Sequence, residues 1–244
     1  MLAVIGGSGL SQLANLETSR RQPVATPYGE PSEPLAFGTI RGAQIAFLAR
    51  HGHGHTLPPH QVNYRANLWA LRDQGIDEIV AIASVGGVRG DLHPGDLVVP
   101  HQIIDYTFGR RSTFFEDGAP VTHIDFTEPY TDALRRRVLA AAAACGETAV
   151  DGAVYAATQG PRLETAAEID RLERDGADVV GMTGMPEAAL ARELGLAYAA
   201  LAVVVNHAAG RGDSARGIRL KSIEDVLEDA MRRVRRVIEA LVSP

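Results

Sequence analysis

Cysteine is almost missing from this chain. Cys145 stands alone among 244 residues, so no intrachain disulfide can form, and the expected setting is a reducing, cytoplasmic one. A basic excess is missing too. The 24 Lys and Arg face 30 Asp and Glu, for a net charge of −6, which argues against a partner as anionic as nucleic acid. Long apolar runs are absent: the longest, Leu196 to Val205, has ten residues, half of the roughly 20 that span a bilayer. The start, Met-Leu-Ala-Val-Ile-Gly-Gly, has neither a basic region nor a small-residue cleavage site, so no signal peptide is expected. No low-complexity linker, charge block or repeat divides the chain, and residues 1–244 read as one domain. What is present, 45% apolar side chains over this length, is enough for a sizeable core without staples.

Short β-rich runs recur at Leu2–Ile5, Leu35–Ile40, Gln44–Ala49, Glu78–Ser84, Asp96–Val99, Ala149–Ala157, Ala177–Val180 and Ala197–Val205. Several are apolar throughout, as strands covered on both faces are. Helical patterns lie between them, near 59–74, 129–144, 165–175, 186–194 and 222–242. Pro186, Glu187 and Gly195 bracket the fourth as start and stop signals. Ser222, with Asp225 three residues on, reads as the cap of the last. Strands alternating with helices imply an α/β sheet flanked by helices on both faces. A hairpin through Arg41-Gly42-Ala43 makes that sheet mixed.

Five segments carry chemistry. Gly6-Gly7-Ser8-Gly9 ends the first strand, where glycine N–H groups can curl round an anion and Ser8 can add a hydroxyl. It is no Walker loop, and Gln12 breaks the dinucleotide fingerprint. A plain turn competes with phosphate binding there. Four of the eight histidines, His51, His53, His55 and His60, fall within ten residues. Alternate ones can share a face around a metal, or Arg50 can offer its fork and His51 a further donor to an anion, or the segment is a solvated loop. Ser84-Val85-Gly86-Gly87 closes an apolar strand at the edge where open α/β sheets bind ligands. Glu164 precedes a helix and Asn206 and His207 end a buried strand, each as readily a capping or turn residue as a ligand contact. Together these residues imply a small anionic, polar ligand at the carboxyl edge of the sheet. Arg135–Arg137, Arg232-Arg233 and Arg235-Arg236 read as solvated helix faces. Ile223, Val226 and Leu227 form one apolar stripe.

The set as a whole resembles a known family. GGSG at 6–9, L-A-R-H-G-x-x-H at 48–55, V-N-Y-R-A-N at 62–67, H-P-G-D at 93–96, G-P-R-L-E-T at 160–165, G-A-D-V-V-G-M-T at 176–183 and M-P-E at 185–187 are similar, in order, to the trimeric purine nucleoside phosphorylases. Among these the 5'-methylthioadenosine phosphorylase branch is most alike. The resemblance implies one α/β domain with a mixed, partly barrel-like sheet and a homotrimer. It implies cleavage of a purine–ribose bond by inorganic phosphate, with no metal and no organic cofactor. It places Ser8, Arg50, His51, Ser84 and Thr183 around phosphate, Met182 along the ribose, Glu164 and Asn206 on the purine as the catalytic pair, and Leu163 where a base-stacking aromatic is common. His55 matches a family histidine without a firm role.

Two departures bear on the substrate. Adenine-selective members carry Asp-x-Asp where this chain has Asn206-His207-Ala208, and a serine where it has Glu164. Glu164 accepts from the N1–H of a 6-oxopurine, whereas adenine has a bare N1; Asn206 is expected to donate to O6 and N7. Ile223, with Val226 and Leu227, replaces the histidine that binds a 5'-hydroxyl, implying a methylthio pocket. His123 matches a residue that reaches the neighbouring subunit's pocket. The combination points to 5'-methylthioinosine. A broader phosphorylase of inosine, guanosine or methylthioadenosine, a metal-dependent hydrolase, and a non-catalytic nucleoside binder are the competing readings.

Overall fold

A computed structural model of the chain describes residues 1–10, 12–116 and 118–243. β1 (Leu2–Gly6) is buried throughout, with Ala3 and Ile5 in one core cluster and Leu2 and Val4 in another, so its sequence shows no alternation. β2 (Glu17–Gln22) and β3 (Leu35–Ile40) follow, and the Arg41-Gly42 turn leads into β4 (Ala43–Ala49). Ile40 pairs with Ala43, and both turn residues have positive φ, 49° and 82°, the backbone that lets a two-residue hairpin follow the strand twist. α1 (Tyr64–Asp73) starts at Asn63, whose side chain accepts from the Ala66 amide. Then come β5 (Glu78–Gly87), β6 (Leu97–Val99), β7 (Gln102–Asp105) and α2 (Asp132–Ala144). The chain closes with β8 (Ala149–Asp151), β9 (Val154–Ala157), α3 (Ala166–Arg174), β10 (Val179–Gly181), α4 (Gly184–Glu193), β11 (Ala197–His207) and α5 (Leu220–Val242).

Among the described residues all eleven strands belong to one mixed sheet that forks at β5. On one side β2, β3, β4 and β1 lead up to it, with β4, β1 and β5 mutually parallel. Beyond it one arm runs β10, β9, β7 and the other β11, β6, β8. β6 leads into β7 across Pro100 and β8 into β9 across Gly152, while β6 pairs with β8 and β7 with β9. The two arms therefore meet again and close the barrel-like half. α1 and α4 cover one face and α2 and α5 the other, each burying one apolar stripe. Ile169 and Leu172 of α3 pack on a third cluster with Val88 and Val180.

Several expectations need correcting. β2 and β7 carry no apolar pattern to announce them: β2 is Glu-Thr-Ser-Arg-Arg-Gln, exposed and paired to β3 alone. The run 149–157 is two strands, because Gly152 takes φ 85° between them. α5 begins at Leu220 with Arg219 at its N-cap and no side-chain cap bond, so Ser222 lies exposed in the first turn instead of capping it. Arg135 is not solvated. It is 8% exposed and binds the carbonyls of Val99 and Pro100 and the Asp151 carboxylate. Arg233 is likewise half-buried against Glu147 and the Gly95 carbonyl. Among the described residues no helix is long and apolar enough to cross a membrane.

Candidate active site

Parallel pairing brings the carboxyl ends of β1, β4, β5 and β11 to one edge. Ser8 follows β1, Arg50 and His51 follow β4, Ser84 lies near the end of β5, and Asn206 lies near the end of β11. The register of β11 against β5 slips between Val204 and Asn206, and such a bulge re-aims the side chains beyond it. The segments after β9 and β10 add Leu163, Glu164, Met182 and Thr183, and the first turns of α5 add Ile223 and Leu227. All of these line one cavity of about 600 Å³, together with His55, Leu57, Pro58, Ala208 and Ile218.

One end of the cavity gathers a glycine loop, a buried guanidinium and two hydroxyl side chains, Ser8 and Ser84. A Cβ on Gly7 would lie 2.5 Å from the Ile82 carbonyl oxygen and 3.2 Å from Arg50 Nη1, so only glycine lets this loop lie against the guanidinium. Arg50 is 1% exposed. Its Nε and Nη2 donate to both oxygens of Glu187 at 2.6 and 2.8 Å, and Nη1 donates to the Ile82 carbonyl at 3.0 Å. Burial works to lower the Arg50 pKa, but the charge and hydrogen bonds of Glu187 outweigh it and hold the group above its ordinary value. One edge of the fork is thus closed by Glu187, and of five N–H donors two remain for a ligand. Glu187 itself is fully buried and also accepts from Tyr198 Oη at 2.8 Å.

His51 differs from its expected role. Its Nδ1 lies 2.8 Å from the Leu57 carbonyl, which can only accept, so the proton sits on Nδ1 and Nε2 offers a lone pair. Burial, then the neighbouring Arg50 cation, push its pKa down to about 4. The ring is neutral and an acceptor on its free side, not a further donor. Ser84 Oγ is buried without a hydrogen-bond partner among the described residues, and its residue lines the cavity. Thr183, 8% exposed, heads α4 without a cap bond into the helix, and its amide reaches Tyr155 Oη at 3.4 Å.

The middle of the cavity is polar on two sides. Glu164 stands just outside α3, whose capping box is Thr165 with Glu168. Its Oε1 lies 2.6 Å from the Thr158 hydroxyl, leaving Oε2 without a hydrogen bond among the described residues. Asn206 Nδ2 donates to the His207 carbonyl at 2.6 Å, so a single amide hydrogen remains where donation to both O6 and N7 was expected. Gly160 takes φ 62°, and a Cβ there would stand 2.4 Å from Met182 sulfur; this glycine seats the methionine along the cavity wall. Leu163 closes one side and is 38% exposed.

Two of the expected residues are elsewhere. Val226 does not line the cavity: with Ile223 and Leu227 spaced i and i+4, it lies off the edge of their stripe. His123 is exposed and does not line this cavity in its own chain. The histidines do not converge. His51 and His55 stack at 4.4 Å, while His53 lines a separate polar recess beside Gln12, Arg21 and Glu33. Among the described residues no three His, Cys, Asp or Glu side chains are arranged to hold an ion. His207 packs edge-on against His93, outside the cavity.

Sequence reasoning missed Glu187, Thr158 and Tyr198. Glu187 read as a helix-start residue because Pro186 precedes it, whereas its carboxylate turns inward to Arg50. Its signal was the isolated buried cation, which needs a counter-charge. Thr158 and Tyr198 carry no local signal.

Known proteins with this sequence pattern are numerous. The family model described as the phosphorylase superfamily matches residues 1–243. A probable S-methyl-5'-thioinosine phosphorylase of Pseudomonas syringae is 54% identical over 242 residues, 99% of this chain and 98% of its own. A 6-oxopurine nucleoside phosphorylase of Pyrococcus furiosus is 46% identical over 215 residues, covering 86% and 80%. The solved methylthioadenosine phosphorylase of Schistosoma mansoni with adenine superposes with a TM-score of 0.93 at 31% identity, covering 99% of this chain and 90% of that one.

Proposed function

Because this chain belongs to the phosphorylase superfamily, we propose that it cleaves the N-glycosidic bond of S-methyl-5'-thioinosine with inorganic phosphate, giving hypoxanthine and 5-methylthioribose 1-phosphate. The observation that carries the reading is one cavity joining three unlike surfaces: an anion end, the Glu164–Asn206 pair, and the apolar Ile223–Leu227 wall. The names of the Pseudomonas and Pyrococcus relatives support the same substrate class.

The chemistry follows from placement. As C1'–N9 breaks, positive charge grows on the sugar and negative charge on the base. Phosphate, held by Ser8, Ser84, Thr183 and the two free N–H groups of Arg50, stabilises the first and then bonds C1'. His51 Nε2 accepts from the P–OH of monohydrogen phosphate. Asn206 donates its remaining amide hydrogen to N7, where the second charge collects, and Glu164 Oε2 accepts from N1–H. The base leaves with the bonding electrons and takes up a proton from solvent, while the new sugar phosphate gives up its P–OH proton to solvent, so the protons balance. Phosphate is the only co-substrate in this scheme, with no metal or organic cofactor. The assembly that fits it is a cytoplasmic homotrimer in which His123 completes a neighbour's pocket.

Release of base from methylthioinosine, inosine, guanosine and methylthioadenosine, each with and without phosphate, tests the reading. Phosphate-dependent cleavage with methylthioinosine preferred is expected. Equal rates on inosine would replace it with a broader 6-oxopurine phosphorylase, and cleavage without phosphate would overturn it.

A further inference from the structure

Among the described residues between Tyr106 and Thr131 there is neither helix nor strand, yet one side chain of this stretch is bound on every donor it has. Arg110 Nη1 donates to the main-chain carbonyls of Met182 and Met185 at 2.8 and 2.6 Å. Nη2 donates to those of Gln159 and Thr158 at 2.8 and 3.2 Å, and Nε to Gln159 Oε1 at 3.2 Å. Tyr64 Oη lies a further 3.3 Å from Nη1. All five N–H groups of a guanidinium are thereby taken. No donor is left for a ligand, and Arg110 does not line the cavity.

The four carbonyls belong to two separate segments. Thr158 and Gln159 leave β9 toward Leu163 and Glu164, and Thr158 also carries the hydroxyl against Glu164. Met182 leaves β10 and Met185 opens α4, with Thr183 between them. Past the strand ends the ladder joins these segments at Thr158 N to the Gly181 carbonyl, and Arg110 spans the next residues of both.

We propose that Arg110 is a positioning residue that sets the base-holding segment after β9 at a fixed spacing from the ribose- and phosphate-holding segment after β10. This rests on the assignment of Glu164 to the base and of Met182 and Thr183 to ribose and phosphate. A planar fork suits the task because carbonyls of two segments converge on it from different directions; Lys has three donors on one point and cannot reach them all. A misplacement near 1 Å between groups that must act together lowers turnover roughly 100-fold.

The test compares wild type with Arg110→Ala and Arg110→Lys by steady-state kinetics, thermal unfolding and hydrogen exchange. In Arg110→Ala, kcat is expected to fall roughly 100-fold, while unfolding stays cooperative and within several degrees of wild type. Amides of 158–164 and 182–185 should exchange faster together. Guanidinium at tens of millimolar should restore part of the turnover, and Arg110→Lys should not. A kcat within about threefold of wild type, or faster exchange in one segment only, overturns the proposal. If Arg110→Ala does not fold, Arg110→Lys carries the same two readings. A wild type without phosphate-dependent turnover would instead sink the functional reading, and paired exchange would still judge Arg110.

Discussion

Glu187 is the residue on which the buried Arg50 fork depends, although it does not line the cavity. Removing one partner of a buried ion pair leaves the other uncompensated, at a cost of about 3–5 kcal/mol. Glu187→Gln is therefore expected to lose that much in urea unfolding and to raise the phosphate KM, since Arg50 would swing toward other acceptors. The double change Arg50→Met with Glu187→Leu should recover most of the stability and none of the activity. A Glu187→Gln chain as stable as wild type would show that the pair is not what holds the guanidinium.

His51 yields a pH prediction. Its folded pKa of about 4 lies below the ordinary 6.5. Above pH 6.5 it is neutral folded and unfolded, and contributes no pH dependence. Between 6.5 and about 4 only the unfolded chain takes the proton, so stability is lost as pH falls and the loss levels off below 4. In urea unfolding at pH 7 and pH 4.5, wild type should lose about 2–3 kcal/mol more than His51→Gln. Equal losses would mean that the imidazole is not kept neutral. Thr158→Val tests the base side: without its hydroxyl Glu164 is less well aimed, and kcat/KM for methylthioinosine should fall by about 1–2 kcal/mol, roughly 5- to 30-fold, with little change in melting temperature. An unchanged kcat/KM would free Glu164 from this partner.

At the scale of elements, α5 separates two neighbours that the sequence made look alike. Ile223 and Leu227 face the cavity and Val226 does not. Ile223→His should move preference from methylthioinosine toward inosine by about 1–3 kcal/mol, whereas Val226→His should leave the ratio where it was. Kinetics on the two nucleosides decide it, and a shift in the second variant would contradict the geometry. Apolar strands, the Arg41-Gly42 hairpin and Gly195 after α4 were legible because each rests on local chemistry. The polar edge strand β2 was not, since nothing distinguishes six exposed polar residues from a loop until β3 pairs with them. The cap of α5 was misplaced for the same reason. Ser222 has the right chemistry, but the helix already begins at Leu220, with Arg219 at its N-cap and no side-chain bond there.

For the whole molecule, Ser8, Arg50, Ser84 and Asn206 were legible as neighbours because parallel strands deliver their carboxyl ends to one edge. By contrast, β10 runs antiparallel to β5 and brings Met182 and Thr183 to the same cavity. The supporting residues were out of reach. Arg110 lies 48–75 positions from the carbonyls it binds, and no local pattern records a partner so distant. The stretch that carries Arg110 also exposes Phe108 at 71% and Val121 at 84%, near exposed His123. A trimer that buries this stretch should appear in sedimentation, and dilution to monomers should lower kcat. Full activity from a monomer would refute shared sites.

The strand with the most extensive pairing to β5 is the one synthesised last. β11 joins β5 from Glu78 with Ala197 to Gly87 with His207, so its partner emerges from the ribosome about 120 residues too early. At ~5–20 residues per second the edge of β5, Ile79 to Val85, waits on the order of ten seconds with its amides and carbonyls unpaired. Such an edge invites any other strand in reach. Newborn chains stalled before residue 197 should thus be protease-sensitive and prone to clump, and chains that also carry α5, the helix that buries Met231, Val234 and Ile238 on the sheet, should not. The same strand that carries Asn206 into place is the one that covers the open edge of β5.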